Sequence, residues 1–267
     1  MAKKRTEPAR IEEEDELDYG SVSEEEGEVA PPDVMTVKEF AKQIQVPFSM
    51  SVASKRNTGK TMLISALIQA LLAQRKIDMV LVMSQTVHVN DDYWFLPPKL
   101  RQKFSEETIQ KMMDSQAKVP KARREQILLV LDDVLSDKDA EKSRYVRKLF
   151  ILSRHYDIHI ILISQTSNVA LSPQIKANSD YILYSRLNRY QLATLWESIT
   201  NMDKKAFIQF SEENNKNFTF LCVDNTSQSN RPEDFLLKLK VSASEAEKIS
   251  KPQDIESDAE TSSSSEW

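Results

Sequence analysis

The stretch that most limits how this chain can fold is Phe48-Ser49-Met50-Ser51-Val52-Ala53-Ser54-Lys55-Arg56-Asn57-Thr58-Gly59-Lys60-Thr61. It is a short apolar run that ends in a turn of small and basic residues, and the helical pattern Met62-Leu63-Ile64-Ser65-Ala66-Leu67-Ile68-Gln69-Ala70-Leu71-Leu72 follows at once. Strand, loop and helix in that order are the context a Walker A phosphate loop requires. Backbone N–H groups from Ser54, Lys55, Arg56, Asn57, Thr58, Gly59, Lys60 and Thr61 would face phosphate oxygens, and the helix beginning there adds its positive dipole end. In that reading Lys60 reaches the β- and γ-phosphates of ATP, and the Thr61 hydroxyl holds Mg²⁺.

The usual GxxxxGK[ST] pattern opens with glycine, and here that position is Ser54, a residue still small enough to let the chain turn. The chain has only three glycines, and Gly20 and Gly27 lie in an acidic stretch. Gly59 is therefore the one glycine left for the folded part, where backbone must approach a phosphate most closely. A chance Thr-Gly-Lys-Thr at a helix start is the competing explanation, and the flanking strand and helix argue against it.

Met79-Val80-Leu81-Val82-Met83-Ser84 is apolar throughout, as a strand covered on both faces must be. It completes a βαβ unit and so implies a right-handed crossover and a parallel sheet. Downstream, Gln126-Ile127-Leu128-Leu129-Val130-Leu131-Asp132-Asp133 delivers two carboxylates at a strand end, the form of a Walker B strand. Asp132 would bind Mg²⁺, directly or through water, and Asp133 would polarise the attacking water. Ile158-His159-Ile160-Ile161-Leu162-Ile163-Ser164-Gln165-Thr166 is a third buried strand. Its polar end, Gln165, reads either as the γ-phosphate sensor found at this place in P-loop motors, which the order of elements favours, or as a strand end that simply faces solvent.

Around these elements the pattern predicts a short helix from Val34 to Gln45, an insertion over 87–124 with a helix from Ser105 to Lys118, and a basic helix from Asp139 to His155. Tyr93-Trp94-Phe95 reads either as the anchor of that insertion or as a base-stacking platform. Later come a short helix at Ser172–Asn178, a strand at Tyr181–Ser185 and two helices, Asn188–Ile199 and Lys204–Asn214. A last strand, Asn217–Val223, falls at the sheet edge, with Phe235–Leu239 as one more. The expected domain is 34–241, an α/β P-loop NTPase with a mainly parallel central sheet flanked by helices, with disordered tails at 1–33 and 242–267.

Charge is distributed unevenly. Residues 1–33 hold 4 basic and 12 acidic side chains, and residues 242–267 hold 2 and 7. With a net charge of −5 for the whole chain, the middle carries +8, a basic core between acidic ends that suits a nucleic-acid partner. A lone Cys222 and three histidines exclude a disulfide framework and make a zinc cluster improbable. No apolar run approaches a membrane span, and the expected location is intracellular.

Together these residues resemble the DNA-packaging ATPases of poxviruses and other large eukaryotic DNA viruses, in the FtsK–HerA group of P-loop motors. The resemblance rests on Ser54–Thr61, the Asp132-Asp133 pair, Ser153-Arg154-His155-Tyr156 leading into Ile160–Gln165, and Pro173-Gln174-Ile175-Lys176-Ala177-Asn178-Ser179-Asp180. It implies a RecA/FtsK-like sheet with the Walker A and Walker B strands side by side and the Gln165 strand between the Walker A strand and one neighbour. It further implies a homo-oligomeric ring that threads double-stranded DNA, capsid or core proteins as partners, and a place in the virion and at the virus assembly site. Lys176 stands where an arginine is usual, so Arg154 and Arg186 become the candidates to reach a neighbouring subunit's γ-phosphate. Two other readings stay open at this point: another P-loop enzyme such as a nucleotide kinase, and a nucleotide-binding structural protein of a virion.

Overall fold

The computed structural model describes residues 33–87, 92–134, 143–165, 170–197, 202–229 and 231–249. The sequence-predicted tails over 1–32 and 250–267, His88, residues 139–142 of the predicted basic helix, Thr166 and Ile199 lie outside them. In chain order the elements are β1 (Val34–Thr36), α1 (Val37–Gln43), β2 (Ser49–Ser54), α2 (Lys60–Ala73), β3 (Met79–Ser84), β4 (Arg101–Gln102), α3 (Glu106–Lys118), β5 (Ile127–Asp132) and α4 (Arg144–Leu152). Then follow β6 (Ile158–Ser164), α5 (Pro173–Asn178), β7 (Tyr181–Ser185), α6 (Arg189–Trp196), α7 (Lys204–Asn214), β8 (Phe220–Asp224), α8 (Pro232–Phe235), β9 (Leu236–Lys240) and α9 (Ala243–Ile249).

One sheet takes in the strands, in the order β1-β9-β8-β7-β2-β6-β5-β3-β4. It is parallel except where β8 pairs with β7 and with β9. Every residue of β2, β5 and β6 is buried, which explains why these strands read as unbroken apolar runs and not as alternations. Alternation survives as a division between faces. Leu128 and Val130 of β5, with Ile161 and Ile163 of β6, pack on the side of α1 and α2. Ile127, Leu129 and Leu131, with Ile158, Ile160 and Leu162, pack on the side of α3 and α4.

Four expectations need correction. The Walker A and Walker B strands, β2 and β5, are not neighbours, because the chain leaves β5 through α4 and returns between them as β6. The polar end of β6 consequently stands between the phosphate loop and the paired carboxylates. The first helix begins at Val37, not Val34, since Thr36 and Glu39 form a reciprocal capping box that fixes the start and frees Val34–Thr36 to pair with β9. The strand near Asn217 is interior: β8 lies between β7 and β9, and the edge belongs to β1. The chain also stays ordered past Ser242. In α9 the Glu245 carboxylate accepts from the backbone N–H of Lys38 at 2.8 Å and of Ser242 at 2.7 Å, and Trp94 Nε1 donates to Ile249 O at 2.8 Å. Those contacts are polar groups meeting backbone, which a hydrophobic pattern does not register.

Candidate active site

Strands β7, β2, β6 and β5 run parallel and finish at one edge of the sheet, with Ser54 opposite Ser185, Ala53 opposite Ser164, and Asp132 opposite Ile163. The loop after β2 turns through left-handed backbone at Asn57 (φ 57°) and Gly59 (φ 84°). Thr58 is buried, and its Oγ1 lies 2.9 Å from Lys55 O and 3.1 Å from Ser54 Oγ. Ser54 thus helps to close the loop with its own hydroxyl at the position where the motif has glycine. Gly59 caps α2 with no side chain, so the first N–H groups of a 14-residue helix are left for an anion.

The carboxylates follow from the strand's alternation. Asp132 shares a face with Leu128 and Val130, which turns it toward α2 and into the core, where it is 7% exposed. The Tyr93 hydroxyl donates to Asp132 Oδ2 at 2.8 Å. Burial pushes the Asp132 carboxyl up to about 6, while the Tyr93 hydrogen bond and the Lys60 charge pull it back down. Burial, with the Asp132 charge beside it, also raises the Tyr93 phenol well above its ordinary range. A buried acid whose desolvation the nearby Lys60 only partly offsets, beside an uncapped helix start, fits a hard divalent cation carried with a phosphate. Asp132 and Thr61 are the residues that would hold it.

Asp133 leaves the strand in left-handed backbone (φ 55°), with its N–H donating to Ile163 O at 3.1 Å. Its Oδ2 accepts from Gln165 Nε2, and Gln165 Oε1 accepts in turn from Arg56 Nε at 2.7 Å. A continuous hydrogen-bonded chain therefore runs from the phosphate loop, through the end of β6, to the carboxylate beyond β5. Strained backbone at such a position is a mark of functional sites.

The remaining predicted residues divide between the two ends of the strands. Arg186 follows β7 at the phosphate-loop edge and is exposed, at φ 52°. Arg154 precedes β6 and stands at the opposite end. There it pairs with Asp180 Oδ1 at 2.9 Å and lies 3.3 Å from Ser49 Oγ. Asp180 Oδ2 accepts from Ser49 N at 2.7 Å and from Ser49 Oγ at 2.9 Å. The Arg-His and Pro-to-Asp180 stretches thus meet as a clamp on the start of β2. Lys176 is buried and donates to Thr194 O, tying α5 to α6.

Two site residues escaped the sequence reading. Tyr93 is buried in the α2-side core, so the aromatic cluster is an anchor, but its hydroxyl also meets Asp132. A tyrosine before Trp94 and Phe95 gave no hint of a partner 39 residues away. Arg56 was read for its backbone alone, and only the fold shows that its guanidinium meets Gln165.

This arrangement defines a P-loop NTPase fold with its site at the carboxyl edge of a parallel sheet. Among known families, the one described as Poxvirus A32 protein matches residues 37–183, more than half of the chain, and the chain belongs to that family. The chain is 27% identical over 186 residues to uncharacterized protein 075L of Invertebrate iridescent virus 6, a match spanning 67% of this chain and 71% of that protein. It is 25% identical over 182 residues to uncharacterized protein 015R of Frog virus 3, spanning 66% of this chain and 56% of the other. Among solved structures, the DNA-packaging ATPase B204 of Sulfolobus turreted icosahedral virus superposes with a TM-score of 0.52 at 14% identity, covering 73% of this chain and 98% of that one. The genome-packaging NTPase B204 of Sulfolobus turreted icosahedral virus 2, in complex with ATPγS, gives 0.54 at 16% identity, covering 74% and 99%. At those identities the likeness is one of fold.

Proposed function

We propose that this chain is an ATP-hydrolysing motor that moves double-stranded DNA into a viral capsid. The observation that carries the reading is the hydrogen-bonded chain from Arg56 through Gln165 to Asp133. A motor must convert the state of the phosphate into movement, and here a phosphate-loop side chain is joined to the carboxylate at the neighbouring strand ends. Membership of the A32 family and the fold shared with packaging NTPases support the same reading.

In the proposed mechanism, the amides of Ser54–Thr61 cradle the phosphates and the Lys60 ammonium neutralises charge that grows on the transferring γ-phosphoryl group. Mg²⁺, held by Thr61 and Asp132, would supply further charge stabilisation. Asp133 orients the attacking water and accepts the proton that the water gives up, while Gln165 holds Asp133 until the γ-phosphate competes for its amide. In the proposed ring the exposed Arg186, at the phosphate-loop edge, is the arginine that reaches a neighbouring subunit; Arg154, engaged with Asp180, acts within its own subunit. The +8 charge of residues 34–241 suits a duplex, and capsid or core proteins are the partners proposed for the acidic ends, in the virion and at the assembly site.

ATP-dependent displacement of a triplex-forming strand from duplex DNA tests the reading. Displacement by the wild-type chain and none by Lys60→Ala is expected. ATP turnover without displacement, with or without capsid protein, would make it a P-loop enzyme of another kind.

A further inference from the structure

Next to the phosphate loop stands an aromatic ring that the ATPase reading has not used. Phe218 is 62% exposed, whereas Phe220, two residues on, is 1% exposed and packed in the core. Asn217 and Phe218 both adopt left-handed backbone, at φ 56° and 58°, a region that a bulky side chain avoids on steric grounds. The turn is pinned in that shape. Ser185 Oγ lies 2.9 Å from Asn215 Oδ1 and donates to Thr219 O at 3.1 Å, and Thr219 N donates to Lys216 O at 3.1 Å. Since Ser185 pairs with Ser54 across β7 and β2, the turn is fixed to the strand that carries the phosphate loop. Phe218 Cδ1 comes within 3.3 Å of where a Cβ on Gly59 would stand. A ring held in strained backbone, and still left facing solvent, is being presented and not stored.

Geometry says to what. The terminal phosphate must lie toward Asp132, Asp133 and Gln165, on the β6 and β5 side of β2. The other end of a nucleotide laid along Gly59–Thr61 therefore points to the opposite side, toward β7 and β8, where Phe218 stands. Met62, in the first turn of α2, adds a second large apolar side chain left exposed. We propose that Phe218 is the platform on which the purine base of bound ATP stacks. The proposal rests on the ATPase reading and deepens it. Stacking reads a ring's face and not its edge, so ATP and GTP should bind alike, with pyrimidine nucleotides weaker.

Equilibrium binding to the full chain tests this, with ATPγS and inorganic tripolyphosphate as probes, for wild type, Phe218→Ala and Phe218→Tyr. Phe218→Ala should bind ATPγS about tenfold more weakly, the order expected for one lost stacking contact, and tripolyphosphate unchanged. Phe218→Tyr should match wild type, and all three should share a melting temperature because the ring is exposed. ATPγS binding untouched in Phe218→Ala, or equal loss of both probes, would overturn the proposal. A wild-type chain that binds tripolyphosphate as tightly as ATPγS would overturn it while sparing the ATPase reading. A wild-type chain that binds neither probe would overturn both.

Discussion

Asp132→Asn should inactivate the protein and at the same time stabilise it. Burial raises the Asp132 carboxyl from 3.8 to about 6, so the folded state prefers the neutral acid. A folded-state pKa above the unfolded value contributes stability that is full below pH 3.8 and is lost as the pH rises through about 6. Above that pH the carboxylate costs the folded chain about 3 kcal/mol, since each tenfold change in proton affinity is worth roughly 1.4 kcal/mol. Asparagine has nearly the same shape, still offers an oxygen to the Tyr93 hydroxyl, and carries no charge to desolvate. Urea unfolding without nucleotide or divalent cation should give Asp132→Asn a gain of about 2–3 kcal/mol at pH 8, shrinking to roughly half at pH 5. A variant no more stable than wild type at pH 8, or a gain equal at both pH values, would refute the argument that this acid is held in the core at a cost.

Other consequences can be measured with equal directness. Burial depresses the His159 imidazole from 6.5 to about 4, so its stability contribution is full above pH 6.5 and is lost as the pH falls toward 4. His159 should withdraw up to about 3 kcal/mol across that window, against the opposite gain from Asp132, so His159→Gln should become more stable relative to wild type as the pH falls from 6.5 to 4; a difference between the two that does not change with pH would place the titration elsewhere. Gly59→Ala puts a Cβ at φ 84° and should cost about 1–2 kcal/mol in unfolding while weakening ATP binding; unaltered ATP affinity would deny Gly59 its place under the phosphates. Asp180→Ala strips an acceptor from the Ser49 N–H and the partner from Arg154, and should cost about 2–3 kcal/mol. Arg154→Ala should cost less, because that side chain is 46% exposed, and should leave turnover per folded molecule intact. Lost turnover with unchanged stability would instead give Arg154 a direct part in hydrolysis.

The buried strands were legible because full burial on both faces leaves little room for anything but apolar residues, as in Val80–Met83, Leu128–Leu131 and Ile160–Ile163. The phosphate loop was legible for a different reason: its chemistry fixes residue types at fixed spacing, and Gly59 lies in left-handed backbone at the helix start, as the spacing requires. Strand order was not, since β5 and β6 carry the same pattern and nothing in either says which one lies beside β2. Side chains that work across long separations escaped as well. Tyr93 on Asp132, Arg56 on Gln165 and Glu245 on the Lys38 N–H are single polar contacts whose partners only the fold brings near. The stretches around Arg154 and Asp180 each stood out in the sequence, but nothing there joined them, and only the fold shows that Arg154 and Asp180 pair and brace the start of β2.

Asp133, held by Gln165, is proposed to serve hydrolysis that is coupled to DNA. The most direct test is the rate of ATP hydrolysis with and without double-stranded DNA, for wild type and Asp133→Asn. Turnover should rise with DNA in the wild type and be abolished with or without it in the variant. Wild-type turnover indifferent to DNA, or an Asp133→Asn chain that hydrolyses ATP as well as wild type, would contradict that role.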